Sequence, residues 1–283
     1  MSLSSTLPLH IPTVMESSAH YRSLASRTGL PWWAEPAITD HVADTVEKYL
    51  GLNSASRLAD LGAGSGSFAS LLSTRAGLTK PVTCVEPSQE MLDLGADLPG
   101  LSPVCQGAED WASADQGHGE FDRVLIKYAV HHFDRKRMLE TFKGIRCVTL
   151  KVVQSEMLPN FRQKLAADGL VLIVRGQADN ILNDAVPDAI KVMNQEEHRS
   201  LPSTSVVTML EQAGFKEVEH HVHGLPVKWS KKKWFEGFRR RDISSFSHLS
   251  DEQIEEAVLE VDVKIPGDTV AFTMAADYIT AKI

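Results

Sequence analysis

Five short apolar segments, separated by segments with helical periodicity, constrain the fold of this chain more than any other feature. The segment 37–50 before the first of them has apolar residues at every fourth position, which is the spacing of an amphipathic helix, and helical segments follow between the apolar runs. Strands that alternate with helices form crossover units, in which parallel strands lie side by side and helices cover both faces. The sequence therefore predicts a doubly wound α/β fold, with strands at 57–61, 82–86, 101–106, 122–127 and 170–175.

The chain beyond the fifth predicted strand follows a different pattern. Two further strands are predicted at 217–223 and 270–281, and the interval of about 45 residues between them is too long for a hairpin loop. This interval has a helical pattern of its own at 251–261. We therefore predict a flexible N-terminal segment and one domain with two lid regions. Their bounds are 1–18 for the flexible segment, 19–283 for the domain, about 19–50 for N-terminal lid helices and about 225–265 for a lid insertion.

Composition and charge exclude several classes of function. The net charge is −8 and there is no long basic run, which argues against binding of nucleic acid. No segment approaches the ~20 apolar residues of a membrane span, and the N-terminus lacks the pattern of a signal peptide. The three cysteines have neither metal-site nor disulfide spacing, and we expect Cys84 and Cys105 to be buried. We expect a soluble, cytoplasmic protein with no metal, membrane or nucleic-acid partner.

The loop after the first predicted strand carries three glycines, Gly62, Gly64 and Gly66, and Asp60 stands two residues before the first of them. Glycines in this place let the backbone approach a ligand at the carboxyl ends of the strands. A dinucleotide-binding loop would place its third glycine where Ser67 stands, and the chain contains no Gly-Lys-Ser or Gly-Lys-Thr phosphate loop. The pattern therefore favours a ligand without a pyrophosphate.

Two later segments indicate that this ligand contains adenosine. Glu86 ends the second predicted strand, 20 residues after Gly66, where a carboxylate can accept hydrogen bonds from both hydroxyls of a ribose. The third predicted strand closes with CQGAEDW at 105–111, where an adenine ring would lie against backbone and an apolar wall.

Together these segments resemble the class I S-adenosylmethionine-dependent methyltransferases, especially the branch that acts on small molecules. ADLGAGSGSF is similar to the first motif of that family, CVEPSQEML to the second, QGAEDWA to the third, FDRVLIKYAVHHF to the fourth and LAADGLVLIVR to the fifth. The resemblance covers roughly residues 20 to 215. It implies a Rossmann-like, mostly parallel sheet of seven strands with an antiparallel last strand. It also implies S-adenosyl-L-methionine as cofactor and S-adenosyl-L-homocysteine as product.

The resemblance also implies a set of cofactor-binding residues. It assigns the methionine portion to Asp60 and the glycine loop, the ribose to Glu86, and the adenine edge to Ala108 and Glu109. The full set is Tyr21, Asp60, Gly62, Ala63, Gly64, Gly66, Glu86, Pro87, Ser88, Met91, Ala108, Glu109, Lys127 and Tyr128.

Two departures from the family pattern stand out. Gly107 occupies a position where the family usually has Asp, so the adenine contact is expected to shift to Glu109 or Asp110. The segment 144–156 is longer than the usual link, and it is interpreted either as an extra strand or as a helix extension.

Residues after the fourth predicted strand and in the insertion are candidates for binding the methyl acceptor. A base is needed only if the acceptor loses a proton, and His132, next to His131, is the candidate for that role. The alternative is that both histidines pack or start a helix. Trp234 and Arg239–Arg241 are candidates for recognising an anionic or aromatic acceptor. The alternative is that Trp234 and Phe238 form the buried face of a helix and the arginines its exposed face.

From these residues we predict an S-adenosylmethionine-dependent methyltransferase that acts on oxygen or nitrogen of a small molecule. Two other classes remain open at this point: an oxidoreductase with a nucleotide cofactor, and a non-catalytic cofactor-binding protein of the same fold. The sequence does not indicate the oligomeric state.

Overall fold

The computed structural model describes residues 35–114, 121–149, 169–176, 185–186, 188, 201–242, 246 and 249–283, with the side chains of 147–149 excepted. The predicted flexible segment 1–18, the cofactor residue Tyr21 and most of the predicted N-terminal lid lie outside these residues. The elements, in chain order, are α1 Pro36–Leu50, β1 Leu58–Leu61, α2 Ser67–Ala76, β2 Val82–Glu86, α3 Gln89–Asp93, β3 Leu101–Cys105, α4 Ala108–Ser113, β4 Arg123–Lys127, α5 Met138–Thr149, β5 Leu170–Gly176, α6 Ser203–Gln212, β6 Lys216–Ser230, α7 Lys231–Arg240, α8 Asp251–Lys264 and β7 Thr269–Lys282.

Seven strands form one sheet in the order β3-β2-β1-β4-β5-β7-β6. Strands β1 to β5 pair in parallel. Strands β2 and β3 lie on one side of β1, and β4 and β5 lie on its other side, so the strand order switches sides between β3 and β4. The central strands β1, β4 and β5 are almost completely buried, as their continuous apolar runs predict. The predicted doubly wound α/β fold is therefore confirmed.

The last strand, β7, runs antiparallel to its neighbours, as predicted. Lys282, at the end of β7, forms an ion pair with Glu217, at the start of β6. At the opposite ends of these strands, the Lys231 N–H donates to the Asp268 carbonyl at 2.8 Å. The Ile283 N–H donates to the carbonyl of Gly169, just before β5, at 3.2 Å.

Strand β6 is longer than the sequence indicates. It continues to Ser230, so the segment between β6 and β7 begins at Lys231 and not near 225. Along its outer part, half-buried residues alternate with exposed ones and no continuous apolar run forms. Gly224 and Pro226 lie within it, and such residues are tolerated because β6 is an edge strand of the sheet.

The residues group into two compact units. One consists of 42–175, 203–221 and 278–283 and is called here the sheet unit, because it contains β1 to β5 and the glycine loop. The other consists of 1–41, 176–202 and 222–277 and is called here the helical unit, because it contains α7 and α8.

The helical unit has a hydrophobic core of its own, built largely from aromatic residues. Trp234 and Phe238 lie one turn apart on α7 with their rings 5.3 Å apart, and Phe238 also contacts Phe246 at 4.8 Å. Val258 and Val261 of α8 close this core. Ser250 and Gln253 form a capping box that fixes the start of α8. The alternative interpretation of Trp234 and Phe238, as the buried face of a helix, is therefore what the structure shows.

Two expectations outside the site have definite outcomes. Cys84 is buried as expected, but Cys105 is exposed, so that prediction was wrong. The reason is that β3 lies at the edge of the sheet, where an apolar run is covered on one side only.

In the segment 144–156, α5 extends to Thr149, and the remainder lies outside the described residues. Within the described ranges, no helix has the length and apolar character needed to cross a membrane.

Candidate cofactor and active site

The glycine loop joins the end of β1 to the start of α2. Gly62, Gly64 and Gly66 all have positive φ angles, of 77°, 58° and 74°, which L-residues with side chains rarely adopt. The Gly62 and Ala63 N–H groups donate to the carbonyl of Val85 in β2, at 2.8 and 3.1 Å. The loop therefore turns sharply against the carboxyl end of β2, as a backbone that approaches a ligand must do.

The three glycines are not equally constrained by their surroundings. A Cβ atom on Gly62 would lie 2.4 Å from the Cβ of Ala129, which follows β4. A Cβ on Gly64 would meet only the flexible end of Met91, at 3.4 Å. A Cβ on Gly66 would lie 2.7 Å from Cδ1 of Leu101, the far end of a flexible side chain, so Gly62 is the most tightly packed of the three positions.

Glu86 connects the glycine loop with the loop after β2. Its Oε2 accepts a hydrogen bond from the Gly64 N–H at 3.0 Å, and its Oε1 accepts one from the Ser88 N–H at 3.1 Å. Burial raises the pKa of the Glu86 carboxyl, and these two bonds act in the opposite direction. Because each carboxylate oxygen has a second lone pair, Glu86 can hold the loop and still accept hydrogen bonds from a ribose.

Ser88 and Met91 complete the wall beyond Glu86. Ser88 is buried, and its Oγ accepts from the Met91 N–H at 3.3 Å and donates to Glu90 at 2.8 Å. Ser88 therefore caps the N-terminus of α3 and holds the backbone of Met91 in place beside the site. Pro87, between Glu86 and Ser88, is exposed.

Asp60 lies at the centre of the sheet unit, one residue before the end of β1. It is 2 % exposed, and its Oδ1 has no hydrogen-bond partner among the described residues. Burial raises the pKa of Asp60 to about 7, with a further increase from the charge of Glu86, whereas Lys127 acts to lower it. A buried carboxylate oxygen without a partner is costly and is typical of a position that a ligand satisfies.

Lys127 is the last residue of β4, and Tyr128 is the residue that follows it. The Lys127 ammonium lies 4.7 Å from the centre of the Phe68 ring and 5.1 Å from that of Tyr128. Burial lowers the pKa of Lys127, and Asp60 opposes this. Tyr128 has a φ of 53°, and its N–H donates to the Val174 carbonyl at 2.8 Å. A large residue in this conformation is strained, and such strain is concentrated at functional sites.

The residues predicted to meet the adenine edge lie at the start of α4. Ala108 is buried, and one oxygen of Glu109 accepts from the Asp134 N–H at 2.7 Å. Asp110 forms an ion pair with Arg137 at 2.7 Å. The second carboxylate oxygen of Glu109 lies close to Gly107. Glu109 is therefore better placed than Asp110 to contact an adenine ring.

His131 and His132 lie in a single turn of 3₁₀-helix directly after Ala129. Both are half-buried, and their ring centres are 3.9 Å apart. Because Ala129 packs against the backbone of Gly62, the turn that carries both histidines is attached to the glycine loop. The catalytic role of His132 stays a prediction.

The predicted acceptor residues of the insertion have structural partners within the helical unit. Trp234 is buried and donates from its indole nitrogen to the Ala185 carbonyl at 2.6 Å. Each of the three arginines is paired with a carboxylate at 2.7 Å: Arg239 with Glu255, Arg240 with Asp242, and Arg241 with Asp251. Their predicted role in acceptor binding stays a prediction, and the geometry gives each of them a role in stability.

Phe68 and Ala129 belong to the site although the sequence did not assign them a role. Phe68 supplies the ring beside the Lys127 ammonium, and Ala129 supplies the small surface beneath Gly62. The aromatic residue one position into the helix after the glycine loop was a usable signal for the first. No sequence signal identified the second, because its role depends on contact with a distant segment.

The comparisons with known proteins agree with this geometry. A family model described as a methyltransferase domain matches residues 58–151. No curated protein sequence gives a significant match. A protein from Anabaena variabilis, described as a methyltransferase from an antibiotic biosynthesis pathway, superposes with a TM-score of 0.61 at 16 % identity, over 86 % of this chain and 97 % of its own.

Two further solved structures are similar in fold but are named for other reactions. The [4+2]-cyclase SpnF has a TM-score of 0.55 at 16 % identity and covers 99 % of this chain and 98 % of its own. The cyclopropane synthase MmaA2 from Mycobacterium tuberculosis has a TM-score of 0.52 at 14 % identity, over 96 % of this chain and 99 % of its own. At such identities these likenesses show the fold alone.

Residues 58–151 of the chain therefore match a methyltransferase domain within a Rossmann-like methyltransferase fold. The residues present fit S-adenosylmethionine as the cofactor. The glycine loop leaves room for close backbone approach, Glu86 offers acceptors for a ribose, and the free oxygen of Asp60 offers an acceptor for a cationic group. The alternative of a nucleotide-cofactor oxidoreductase has no support from the family match.

Replacement of Glu86 by Ala is expected to weaken S-adenosylmethionine binding at least tenfold. The variant loses the acceptors for the Gly64 and Ser88 N–H groups as well as those for the ribose, and a hydrogen bond to a charged group contributes about 1.5 to 3 kcal/mol. Isothermal titration calorimetry measures the effect. Glu90→Ala is the matched control, because it removes the same charge from the next helix without touching Gly64. Equal affinities for the two variants would remove Glu86 from the site.

Replacement of Arg240 by Ala is expected to destabilise the helical unit by about 1 to 3 kcal/mol, because Asp242 is buried and loses its guanidinium partner. The control is Arg239→Ala, whose partner Glu255 is well exposed, and for which a much smaller change in stability is expected. Urea unfolding monitored by tryptophan fluorescence compares them. Equal losses in the two variants would show that the burial of Asp242 does not matter.

Proposed function

We propose that this protein transfers the methyl group of S-adenosylmethionine to an oxygen or nitrogen atom of a small organic acceptor. The observation that carries the proposal is the attachment of the histidine turn to the cofactor loop, through the packing of Ala129 against Gly62. This packing puts two adjacent imidazole side chains on the segment that leaves β4 beside the glycine loop. The acidic net charge supports a small molecule as partner and argues against nucleic acid. Free Cys84 and Cys105 support a cytoplasmic location.

The bound cofactor supplies a methyl group on a positively charged sulfur, which is reactive without further activation. The residues of the chain then have three tasks: to hold the cofactor, to align the acceptor and to exclude water. Glu86 and the glycine loop hold the ribose and the amino-acid portion. His132 takes the proton of an acceptor O–H or N–H group onto a ring nitrogen, which is the work of a general base. His131, whose ring contacts that of His132, orients it.

The fold does not decide the acceptor, since similar structures are named as a cyclase and as a cyclopropane synthase. The experiment is therefore a screen of phenols, carboxylic acids and amines with S-adenosylmethionine. Formation of S-adenosylhomocysteine is recorded together with the mass of the methylated product. Turnover with an oxygen or nitrogen acceptor supports the proposal. Binding of the cofactor without turnover of any acceptor supports a non-catalytic protein instead.

The role of His132 is tested on the best acceptor from that screen. His132→Ala is expected to lower kcat by about 10² to 10⁴ if the acceptor must lose a proton, with the dissociation constant of the cofactor unchanged. His131→Ala is the matched control, because it removes the same kind of side chain from the same turn and is expected to have a smaller effect on kcat. An unchanged kcat in His132→Ala across the pH range would exclude the base role.

A further inference from the structure

The segment 94–100, which joins α3 to β3, is called here the α3–β3 connector. It packs along the glycine loop and the first two turns of α2. The Ser70 hydroxyl, in α2, donates to the Pro99 carbonyl at 2.9 Å. A Cβ on Gly100 would lie 2.5 Å from the Oγ of Ser73, one turn further along α2. The connector therefore lies directly against the helix that follows the glycine loop.

Gly95, near the start of the connector, meets the glycine loop itself. A Cβ atom on Gly95 would overlap the carbonyl oxygen of Ser65 and would lie 3.0 Å from its carbonyl carbon. Both are backbone atoms, so no rotation of a side chain relieves the overlap. By contrast, a Cβ on Gly66 would meet only side-chain atoms, of which those of Leu101 are the nearest. The backbone of the loop therefore occupies the space that a side chain at position 95 would need.

The conformation of Gly95 does not by itself require glycine. Its φ lies outside the left-handed region, unlike the φ angles of the three glycines in the loop. Its N–H donates to the Leu92 carbonyl at 3.0 Å, and its carbonyl accepts from the Leu98 N–H at 3.0 Å. Residues with side chains adopt such a backbone conformation freely. The contact with Ser65 is therefore what excludes a side chain, and the two hydrogen bonds keep Gly95 from moving away.

Ser65 belongs to the turn that shapes the glycine loop. The Gly66 N–H donates to the Ala63 carbonyl at 3.0 Å and closes this turn, of which Gly64 and Ser65 are the central residues. The Gly64 N–H in turn donates to Glu86 at 3.0 Å. Because the turn is closed, a shift of the Ser65 carbonyl moves its other peptide groups as well. The N–H group that Glu86 holds is one of them.

We propose that Gly95 is a positioning residue of the cofactor site. Its lack of a side chain lets the connector hold the Ser65 carbonyl, and the loop is thereby fixed at a third point, in addition to Gly62 and Gly64. Gly95 acts on the ligand through the loop and not by contact with it. The role of Gly95 rests on S-adenosylmethionine being the ligand of the glycine loop, and it does not depend on the acceptor.

Gly95→Ala is expected to weaken the binding of S-adenosylmethionine and of S-adenosylhomocysteine by about tenfold or more, because relief of the overlap displaces the loop. The two ligands share every group except the transferred methyl, so we expect the same factor for both. Isothermal titration calorimetry measures the two dissociation constants. No acceptor is needed.

Gly100→Ala is the matched control. It adds the same methyl group to the same connector, at a residue whose φ is 74°, but the new Cβ crowds the Ser73 side chain and not the loop. We expect this variant to lose stability in urea unfolding and to bind both ligands as the wild type does. If Gly100→Ala weakened binding as much as Gly95→Ala, the effect would be a general loss of stability and the proposal would be overturned.

Hydrogen exchange of the wild type tests the same role without a substitution, should Gly95→Ala fail to fold. Saturation with S-adenosylhomocysteine is expected to slow exchange at the Gly64 and Gly66 N–H groups and also at those of Gly95 and Leu98, because a fixed loop also fixes the connector. Slowing confined to the loop would overturn the proposal, as would wild-type affinity in Gly95→Ala.

Failure of the wild type to bind either ligand would overturn the cofactor assignment and, with it, the role of Gly95. Binding of both ligands without turnover of any acceptor would contradict only the proposed methyl transfer. The two failures are therefore distinguishable.

Discussion

Gly62→Ala is expected to abolish measurable binding of S-adenosylmethionine and to lower the free energy of unfolding by roughly 2 to 5 kcal/mol. The new Cβ would lie 2.4 Å from the Cβ of Ala129, at a residue whose φ is 77°. A left-handed conformation costs about 1 to 2 kcal/mol for an alanine, and overpacking of a filled site costs about 1 to 3 kcal/mol more. Relief of the clash requires the loop to move, which separates Gly64 from Glu86.

Gly77→Ala is the matched control for this effect. Gly77 has a φ of 60°, but a Cβ there has no atom within 4 Å, so the variant incurs the conformational cost alone. Urea unfolding and titration calorimetry on both variants separate backbone strain from loss of the site. Gly64→Ala is expected to lie between them, because only the flexible end of Met91 has to move. If Gly62→Ala bound the cofactor as well as Gly77→Ala does, the glycine loop would be no more than a turn.

Asp60→Asn is expected to stabilise the cofactor-free protein at alkaline pH, by an amount on the order of 4 kcal/mol, and to have little effect near pH 4. The pKa of this carboxyl is about 7 in the folded chain, against 3.8 as its ordinary value. Between these two values the folded state keeps the proton that the unfolded state has lost. The contribution of neutral Asp60 to stability is therefore complete below the lower value and is lost as the pH rises through about 7. Asparagine does not titrate and keeps its contribution at every pH.

Denaturant unfolding at about pH 5 and about pH 8 measures this difference, since the groups remote from Asp60 titrate equally in the wild type and in the variant. Loss of the attraction between Lys127 and ionised Asp60 reduces the gain, and Lys127→Met measures that share. Parallel stability curves for the wild type and Asp60→Asn over this pH interval would show that the carboxyl is ionised and satisfied. The expected result means that the protein retains a destabilising group for the benefit of its site.

Much of the fold could be predicted because its signals are local. The strands β1, β2, β4 and β5 were placed to within a residue or so, because a strand covered on both faces needs a continuous apolar run. Strand β6 was predicted too short, because an edge strand needs no such run and tolerates Gly224 and Pro226. The exposure of Cys105 was missed for the same reason: the sequence does not state which strand lies at an edge.

The sequence by itself determined where the cofactor loop lies and which carboxylates flank it. The positive φ angles of the glycine loop and the place of Glu86 at the end of a strand follow from residues that are adjacent in the chain. Only the tertiary structure decided how these residues act on one another. Glu86 holds Gly64 across 22 residues, Ala129 closes the space beneath Gly62, and the arginines of the insertion pair with Glu255, Asp242 and Asp251. The physical reason is that burial and charge depend on which distant segments meet. A side chain such as Asp60 acquires its protonation state only when the neighbouring strands have removed it from water.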